Sequence, residues 1–250
     1  MVARIERIEA AACDSEHEAA WLERNLLEQA KPRWNRAIGG LETCVYIGLH
    51  QRLEVRHDPS GPGLVFGPYL GGDKVRLAVS GLHRVIPLDY AGHRLIGSDR
   101  DMARVRGVAP DSREELVSAA IAVLKRDATA GARVRQALRG RRDAAALALA
   151  FELAARIQAE LEALDWVLAE QKVTRLDDPV DVSVHGWSDG LLVTFTIRGG
   201  RVRSWTQRPC DERTGRSCVE ATPDEWRPFA ERNAQLAARL LGIGTASAPS

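Results

Sequence analysis

AWLERNLLEQAKPRWNR, residues 20–36, joins an amphipathic helix pattern to a basic and aromatic end. Ser15 and Glu18 before it have the spacing of a capping box and a proline follows it, so a helix is predicted over residues 16–31. Projected at about 100° per residue, its apolar side chains form one stripe with Glu23 inside it. The stripe consists of Ala19, Leu22, Leu26, Leu27 and Ala30. Because an unpaired buried carboxylate is costly, Glu23 is expected to meet a cation, a metal ion or hydrogen-bond donors.

Charge and cysteine usage limit the class of protein. The 250 residues carry 35 basic and 34 acidic side chains, so no net field draws the whole molecule to nucleic acid or membrane. The four cysteines are scattered without a CxxC pair, which fits a reducing compartment. No apolar run reaches the length of a membrane span, and the N-terminus is charged where a signal peptide is apolar. A cytoplasmic protein without membrane contact is therefore expected.

The first half of the chain is predicted to mix strands and helices. A short strand is predicted within residues 2–12, and residues 43–56 indicate one or two strands with a turn at Gly48. The glycine- and proline-rich residues 58–73 predict a rigid, turn-rich connector. A short helix is expected over residues 73–85, because a proline follows soon after.

The next block is predicted to be helical. Ser112 and Glu115 repeat the capping-box spacing, which predicts a helix running toward Arg126. A second helical stretch is predicted over residues 133–138, ending before a glycine. Apolar residues then recur at alternating three- and four-residue spacing over residues 143–171, which is typical of a seam that needs a partner helix.

The C-terminal part changes to strand periodicity. Apolar residues alternate over 180–184 and 193–197, and Asp189-Gly190 and Gly199-Gly200 stand where two-residue hairpin turns belong, so a three-stranded meander is predicted. Thr222 and the Pro-Asp-Glu after it predict the start of a closing helix, followed by a disordered tail. The predicted fold class is α+β and helix-rich.

The first helix and its basic end resemble the closing segment of the GIY-YIG nuclease domain in the UvrC family of excision-repair endonucleases. In that family a helix of the form E-A-L-L-L-E-x-N-L-I-K precedes a basic stretch ending P-R-Y-N, and residues 18–35 here are EAAWLERNLLEQAKPRWN. Glu23 matches the family's metal-binding glutamate, and Asn35 matches its final asparagine. The resemblance implies that both residues are catalytic and that Glu23 binds Mg²⁺ or Mn²⁺. A second interpretation stays open, in which Glu23 lies at the stripe's edge or pairs with a structural arginine.

Three further segments resemble the same family in the same order. FGPYLGGDKVRLAVSGLHRVIPL (66–88) is similar to its F-G-P-Y segment, AFELAARIQAELEALDWVLAEQKV (150–173) to its UVR motif, and DVSVHGWSDGLLVTFTIRGGRV (181–202) to the strands that follow. The implied organisation is the C-terminal half of a GIY-YIG-like domain (1–57), a connector with a short helix (58–110), a helical UVR-like region (111–173) and a β-meander with a C-terminal helix and tail (174–250).

Parts of the family pattern are missing from these 250 residues. The tyrosine strands and arginine helix of the nuclease domain are absent, and the YIG at Tyr46 follows Glu23 instead of preceding it. No cysteine lies between Cys44 and Cys210, so no iron-sulfur cluster is expected. Leu153 replaces a common arginine of the UVR motif, and little room is left for the first helix of its hairpin. Both departures weigh against docking to a UvrB-like helicase.

Two basic clusters are candidate DNA-binding sites. One consists of Lys31, Arg33, Trp34 and Arg36. The other consists of Arg133, Arg135, Arg139, Arg141 and Arg142, with Lys125 and Arg126 upstream. The first combines charge with an aromatic ring, as in proteins that hold a strand by phosphate contact and stacking, with a core role for Trp34 as the alternative. The second predicts sequence-independent phosphate contacts, with a solvated helix face as the alternative.

Two hypotheses follow for function. The first is a DNA-repair protein that binds DNA within a metal-dependent endonuclease system of the excinuclease type, with its catalytic half lost, mis-started or supplied by another polypeptide. The family's RNase H-like and helix-hairpin-helix domains are also missing, and the pattern is most similar to the UvrC-like C-terminal part of actinobacterial DEDD exonuclease fusions. The second is a non-catalytic scaffold whose helices dock a repair helicase or an exonuclease on another chain.

Overall fold

The computed structural model describes residues 8–31, 44–92, 95–174 and 181–242. Its contacts divide the chain into two compact units: the terminal unit, within residues 1–41 and 170–250, and the central unit, within residues 42–169. The described residues contain eight α-helices and two three-stranded antiparallel sheets, which confirms the predicted helix-rich α+β class. The four motif-based segments remain a prediction about the chain's organisation.

A small antiparallel sheet begins the central unit. Its strands are β1 (Val45–Leu49), β2 (Leu53–Arg56) and β3 (Leu64–Tyr69), in the order β2-β1-β3. The prediction of a turn at Gly48 is wrong, because Gly48 pairs with Glu54 inside the ladder and the turn lies at residues 50–52. The predicted connector also contains a strand, since β3 finds its backbone hydrogen-bond partners in β1.

Five helices complete the central unit. They are α2 (Gly72–Val85), α3 (Ser98–Val105), α4 (Arg113–Leu124), α5 (Ala128–Leu147) and α6 (Phe151–Leu168). The predicted helices over 73–85 and from Ser112 are confirmed as α2 and α4, although the Ser112 side chain makes no capping hydrogen bond. One apolar core joins the sheet to α2, α4, α5 and α6, and it includes the fully buried Ile47, Leu82, Leu138 and Leu164.

α5 continues through Gly140, where the sequence predicted a stop after residue 138. Val134, Leu138 and Ala145 are buried along one face of this helix. Burying that face outweighs the roughly 1 kcal/mol that a glycine costs inside a helix relative to alanine. The prediction of a short helix here is therefore wrong.

α5 and α6 pack together as a helical hairpin joined by residues 148–150. The seam predicted over residues 143–171 is interrupted at this turn, and α6 buries Ile157, Leu161 and Leu164 from it. α5 is the first helix of the hairpin, for which the sequence suggested little room. Lack of room for a first helix is therefore no longer an argument against a docking hairpin.

The terminal unit contains the predicted meander. Strands β4 (Val182–Ser188), β5 (Leu191–Arg198) and β6 (Arg201–Pro209) are antiparallel in the order β4-β5-β6. The backbone φ angles are 48° and 79° at Asp189 and Gly190, and 56° and 68° at Gly199 and Gly200. Two consecutive positive φ angles are the mark of type I′ turns, whose twist matches that of the flanking strands.

Two helices follow the meander, α7 (Glu212–Glu220) and α8 (Arg227–Leu240). α7 was not predicted, and Asp211 caps it by accepting a hydrogen bond from the backbone N–H of Thr214 at 3.0 Å. α8 is the closing helix, but the prediction of Thr222 as its N-cap is wrong. The Thr222 hydroxyl instead accepts a hydrogen bond from the backbone N–H of His185 in β4, at 2.8 Å.

α1 (Glu16–Ala30) confirms the first predicted helix. The Ser15 hydroxyl caps it by accepting from the backbone N–H of Glu18 at 3.1 Å. Residues 8–13 before it have no regular secondary structure, and the rest of the strand predicted over residues 2–12 lies outside the described residues, as does the predicted tail. No helix in the described ranges has both the length and the apolar character needed to cross a bilayer.

Candidate functional site

α1 buries a different face from the one that its apolar pattern predicts. The buried residues are His17, Glu18, Trp21, Leu22 and Asn25. Glu23 is exposed, and it lies about 140° around the helix from Glu18. The prediction that Glu23 lies on the packed face is therefore wrong. The indole of Trp21 has far more apolar area to bury than the alanines of the predicted stripe, so it sets the buried face.

The buried carboxylate of α1 is Glu18. One carboxylate oxygen accepts a hydrogen bond from the backbone N–H of Asp14 at 2.6 Å, and the other accepts from the backbone N–H of Lys172 at 2.8 Å. The first bond reaches one residue beyond the ordinary capping-box partner, and the second joins α1 to the segment before the meander. The capping-box spacing of Ser15 and Glu18 was the signal in the sequence.

Asn25 is a second buried polar residue that joins α1 to this segment. Its side-chain amide donates to the backbone oxygen of Val173 at 3.2 Å and to the hydroxyl of Thr174 at 3.0 Å. Glu23 and Asn25 are the two polar positions of the E-x-N pattern, and their environments differ. Asn25 anchors the helix, whereas Glu23 is open to solvent.

The exposed carboxylate of Glu23 is compatible with a water-rich divalent ion. Mg²⁺ keeps several water ligands and is commonly held by one or two carboxylates together with phosphate oxygens. Across the described residues, no group of three or more His, Cys, Asp or Glu side chains is arranged to hold a metal.

Most of the predicted site beside Glu23 cannot be placed. Asn35, Arg33, Trp34 and Arg36 lie outside the described residues. Lys31 is exposed directly after α1, in a left-handed conformation with a φ of 41°. The meeting of Glu23 with Asn35 stays a prediction.

The arginines predicted on α5 do not share one face. Arg133 lies about 160° from Arg135 and about 120° from Arg139 around the helix. Arg135 is also ion-paired with Asp165 of α6, whereas Arg133 and Arg139 are exposed. A continuous basic stripe is therefore absent from these three positions, and their role in DNA binding stays a prediction.

An arginine cluster beside α1 was not predicted. Arg201 and Arg203 of β6 lie 3.5 and 3.4 Å from the carboxylate of Glu28, and Arg24 lies 3.0 Å from it. Burial by itself raises the pKa of Glu28, but the hydrogen bond from Arg24 and the charge of Arg201 outweigh it and hold this pKa below its usual value. The guanidinium groups of Arg201 and Arg203 therefore share the Glu28 carboxylate with Arg24. The signal was R-V-R after the Gly199-Gly200 turn, since alternate strand residues share a face.

A groove of about 330 Å³ adjoins this arginine cluster. It is lined by Leu26, Gln29, Ala30, Arg203, Ser204 and Trp205. The indole N–H of Trp205 donates to the carboxylate of Glu9 at 2.7 Å, which fixes the ring at the groove. The groove thus presents an aromatic ring beside a guanidinium group, the pairing that single-stranded nucleic acid uses for stacking and phosphate contact.

The chain is similar to curated proteins named UvrABC system protein C. It is 28% identical over 223 residues to the protein from Syntrophotalea carbinolica and 27% identical over 232 residues to that from Chlorobium chlorochromatii. Each match covers 81% of this chain and 36% of the relative. The protein from Methylococcus capsulatus is 28% identical over 239 residues, covering 85% of this chain and 38% of that protein. The chain therefore spans little more than a third of these relatives' length. No protein-family model and no solved structure matches it.

Proposed function

We propose, from the premise that this chain is a UvrC-like protein, that it is a DNA-binding component of a nucleotide-excision-repair type of endonuclease system. The observation that carries the proposal is the similarity to UvrABC system protein C over about four fifths of the chain. DNA is the substrate, and a divalent ion such as Mg²⁺ or Mn²⁺ is the cofactor. We further propose that the chain is most similar to the UvrC-like C-terminal part of actinobacterial DEDD exonuclease fusion proteins.

The arginine cluster of the terminal unit supports DNA binding. Arg201 and Arg203 share the one carboxylate of Glu28, and Arg203 also lines the groove that contains Trp205. A phosphate backbone held at the guanidinium groups places bases beside the indole. Lys31 lies directly after α1 and adds a further exposed positive charge.

Glu23 is the metal ligand in this proposal, and the chain by itself is catalytically incomplete. One exposed carboxylate holds a hydrated ion against a phosphate, but hydrolysis also needs a group that activates the nucleophile and a cation that stabilises the leaving charge. The tyrosine strands and the arginine helix that provide these groups in the resembled family have no match within the 250 residues. We propose that they come from another polypeptide segment.

The binding part is tested with a damaged DNA duplex and a matched single strand at several salt concentrations. Affinity is expected to fall steeply with salt, because each phosphate contact releases counterions. Arg203→Gln is expected to reduce the slope of log affinity against log salt by about one, while Arg213→Gln, an exposed arginine of α7, leaves it unchanged. Absence of salt-sensitive binding contradicts the proposal.

The catalytic part is tested by incubating the same DNA with Mg²⁺ or Mn²⁺. We expect binding without cleavage by the chain alone. One outcome is cleavage that is lost in Glu23→Ala and kept in the exposed control Glu16→Ala. This result overturns the proposal that the chain is catalytically incomplete, while Glu23 remains the metal ligand. Cleavage that survives Glu23→Ala overturns the role of Glu23.

A second function, docking a repair partner, is favoured by the tip of the α5–α6 hairpin. Four large apolar side chains are exposed there: Leu147 at 86%, Leu149 at 73%, Phe151 at 64% and Leu153 at 43%. Clustered apolar side chains at the surface are typical of protein interfaces. A UvrB-like helicase is the proposed partner, with an exonuclease on another chain as the alternative.

Leu149 is the informative residue of this tip. Its φ of 58° lies in the left-handed region, which favours glycine at the end of a helix. We expect Leu149→Gly to leave the free energy of unfolding unchanged or to raise it by about 1 kcal/mol, while it weakens binding to the helicase. Both quantities are measured by urea unfolding and by calorimetric titration of the partner. Unchanged partner affinity removes the docking role of the tip.

A further inference from the structure

A cavity of the central unit is lined by arginines that the candidate DNA site does not include. It has a volume of about 230 Å³ and lies between the end of α2, the residues that join α3 to α4, the first turn of α4, and α5. Arg84, Arg106 and Arg141 line it, and Glu115 is its acidic lining residue. Arg84 and Arg106 lie outside the basic clusters predicted from the sequence, whereas Arg141 belongs to the predicted cluster on α5.

Arg84 is held in place by a buried carboxylate. Glu160 of α6 is fully buried and forms two hydrogen bonds with the Arg84 guanidinium group, while the Ser80 hydroxyl donates to Glu160 at 2.7 Å. Arg156 lies 3.5 Å from the same carboxylate. Two arginines therefore share one buried negative charge, and Arg84 is fixed in orientation at the cavity wall.

The other two arginines have no carboxylate partner among the described residues. Arg106 donates to the backbone oxygen of His83 at 3.3 Å and lies over the ring of Tyr90, with 4.8 Å from its guanidinium carbon to the ring centre. The pKa of Arg141 is lowered by its burial and then by the charges of Arg106 and Arg84. Glu160 offsets the charge of Arg84, so the charges of Arg106 and Arg141 remain in a cavity whose acidic lining residue is Glu115.

We propose that this cavity binds a phosphate ester. Three guanidinium groups from three parts of the fold converge on it, and guanidinium groups match phosphate oxygens with paired, charge-assisted hydrogen bonds. Val85, Pro87, Val108 and Leu116 form an apolar wall on the same cavity. A phosphate bearing an organic group satisfies both features, since its oxygens face the arginines and its substituent faces the wall.

Calorimetric titration of the full chain at low salt tests the proposal. The ligands are thymidine 5′-monophosphate, thymidine, inorganic phosphate, and a short oligonucleotide with and without a 5′-phosphate. We expect thymidine monophosphate to bind and thymidine not to bind. Tighter binding of the phosphorylated oligonucleotide than of its unphosphorylated form identifies a DNA strand as the source of the ester.

Two variants with opposite expected effects on affinity distinguish binding in this cavity from a general effect of the protein's charge. Arg141→Gln is expected to weaken binding of the monophosphate by about tenfold, the loss of one charge-assisted contact. Glu115→Gln is expected to strengthen binding, because it removes the acidic lining residue. Arg213→Gln, on the exposed surface of the terminal unit, is the control and leaves affinity unchanged.

Arg141 is suitable for this test because removing it breaks no ion pair of the described residues, so the variant is expected to fold, as its urea midpoint will show. Equal losses in Arg141→Gln and Arg213→Gln overturn the proposal. Binding of thymidine as tightly as its monophosphate also overturns it. Inorganic phosphate binding as tightly as the ester overturns the role of the apolar wall and leaves a site for free phosphate in place of the ester.

Discussion

The buried carboxylate of Glu18 provides the acceptors for two backbone N–H groups that are 158 residues apart in the chain. Its two oxygens lie 2.6 Å from the nitrogen of Asp14 and 2.8 Å from that of Lys172. Hydrogen bonds to a charged group are stronger than neutral ones, and a buried carboxylate without donors is costly, so this carboxylate is worth more to folding than a surface charge. The side chains of Lys172 and Arg232 both form ion pairs with the carboxylate of Asp14. These ion pairs place positive charge beside the carboxylates of Asp14 and Glu18.

Glu18→Ala is expected to lower the free energy of unfolding by about 1–3 kcal/mol for each donor left unpaired. Glu18→Gln keeps one acceptor oxygen and is expected to cost less than the alanine variant. The control is Glu23→Ala, for which a change within about 0.5 kcal/mol is expected because Glu23 is exposed. Urea unfolding of the three variants decides the matter, and a larger loss in Glu23→Ala than in Glu18→Ala contradicts this account of α1.

At the scale of elements, α8 approaches β4 more closely than a side chain allows. A Cβ atom added to Gly186 would lie 2.0 Å from the backbone oxygen of Ala230, well inside van der Waals contact. Because the obstacle is helix backbone, it cannot be relieved by a rotamer change. The packing of the closing helix on the meander therefore depends on glycine at this strand position.

Gly186→Ala is expected to destabilise the terminal unit by about 1–3 kcal/mol or more, because α8 must move away from the sheet. Gly140→Ala is the matched control. Gly140 lies inside α5 with no atom within 4 Å of an added Cβ, so alanine is expected to stabilise that helix by about 0.5–1 kcal/mol. Thermal unfolding of both variants measures the signs, and a shift of the same sign in both contradicts the prediction.

At the scale of the whole molecule, the chain forms two units that each have their own core. The terminal unit is built from distant parts of the chain. The side-chain NH2 of Asn233 in α8 donates to the backbone oxygen of Ala12 at 3.1 Å, and the side-chain oxygen of Asn233 accepts from the backbone N–H of Ala12. The central unit is continuous and is centred on the apolar cluster that includes Leu82. Each unit is therefore expected to unfold with its own set of contacts.

Two unfolding transitions are expected when the full chain is titrated with urea, since chains with more than one core commonly depart from two-state behaviour. Gly186→Ala is expected to shift one transition to lower urea. Leu82→Ala, which opens a cavity in the central core, is expected to shift the other by about 2–5 kcal/mol. A single transition that both variants move by similar amounts contradicts this prediction.

Local chemistry in the sequence was enough to predict several elements. α1 and α2 follow from periodicity with a cap or a nearby proline, and the meander follows from strand alternation with Asp189-Gly190 and Gly199-Gly200 at its turns. These features act over a few residues, where conformational preference and side-chain period do not depend on distant contacts. The resemblance to UvrC was likewise carried by the order of short motifs.

The tertiary structure decided which groups are buried and which meet. Trp21 turned Glu18 inward and left Glu23 in solvent, the apolar face of α5 carried that helix through Gly140, and pairing with β1 made a strand of residues 64–69. The cavity formed by Arg84, Arg106 and Arg141 has no counterpart in sequence spacing, because its residues come from three separate elements. Each outcome depends on the free energy of contacts between distant residues, which exceeds the local preferences of about 1 kcal/mol or less that a sequence pattern reports.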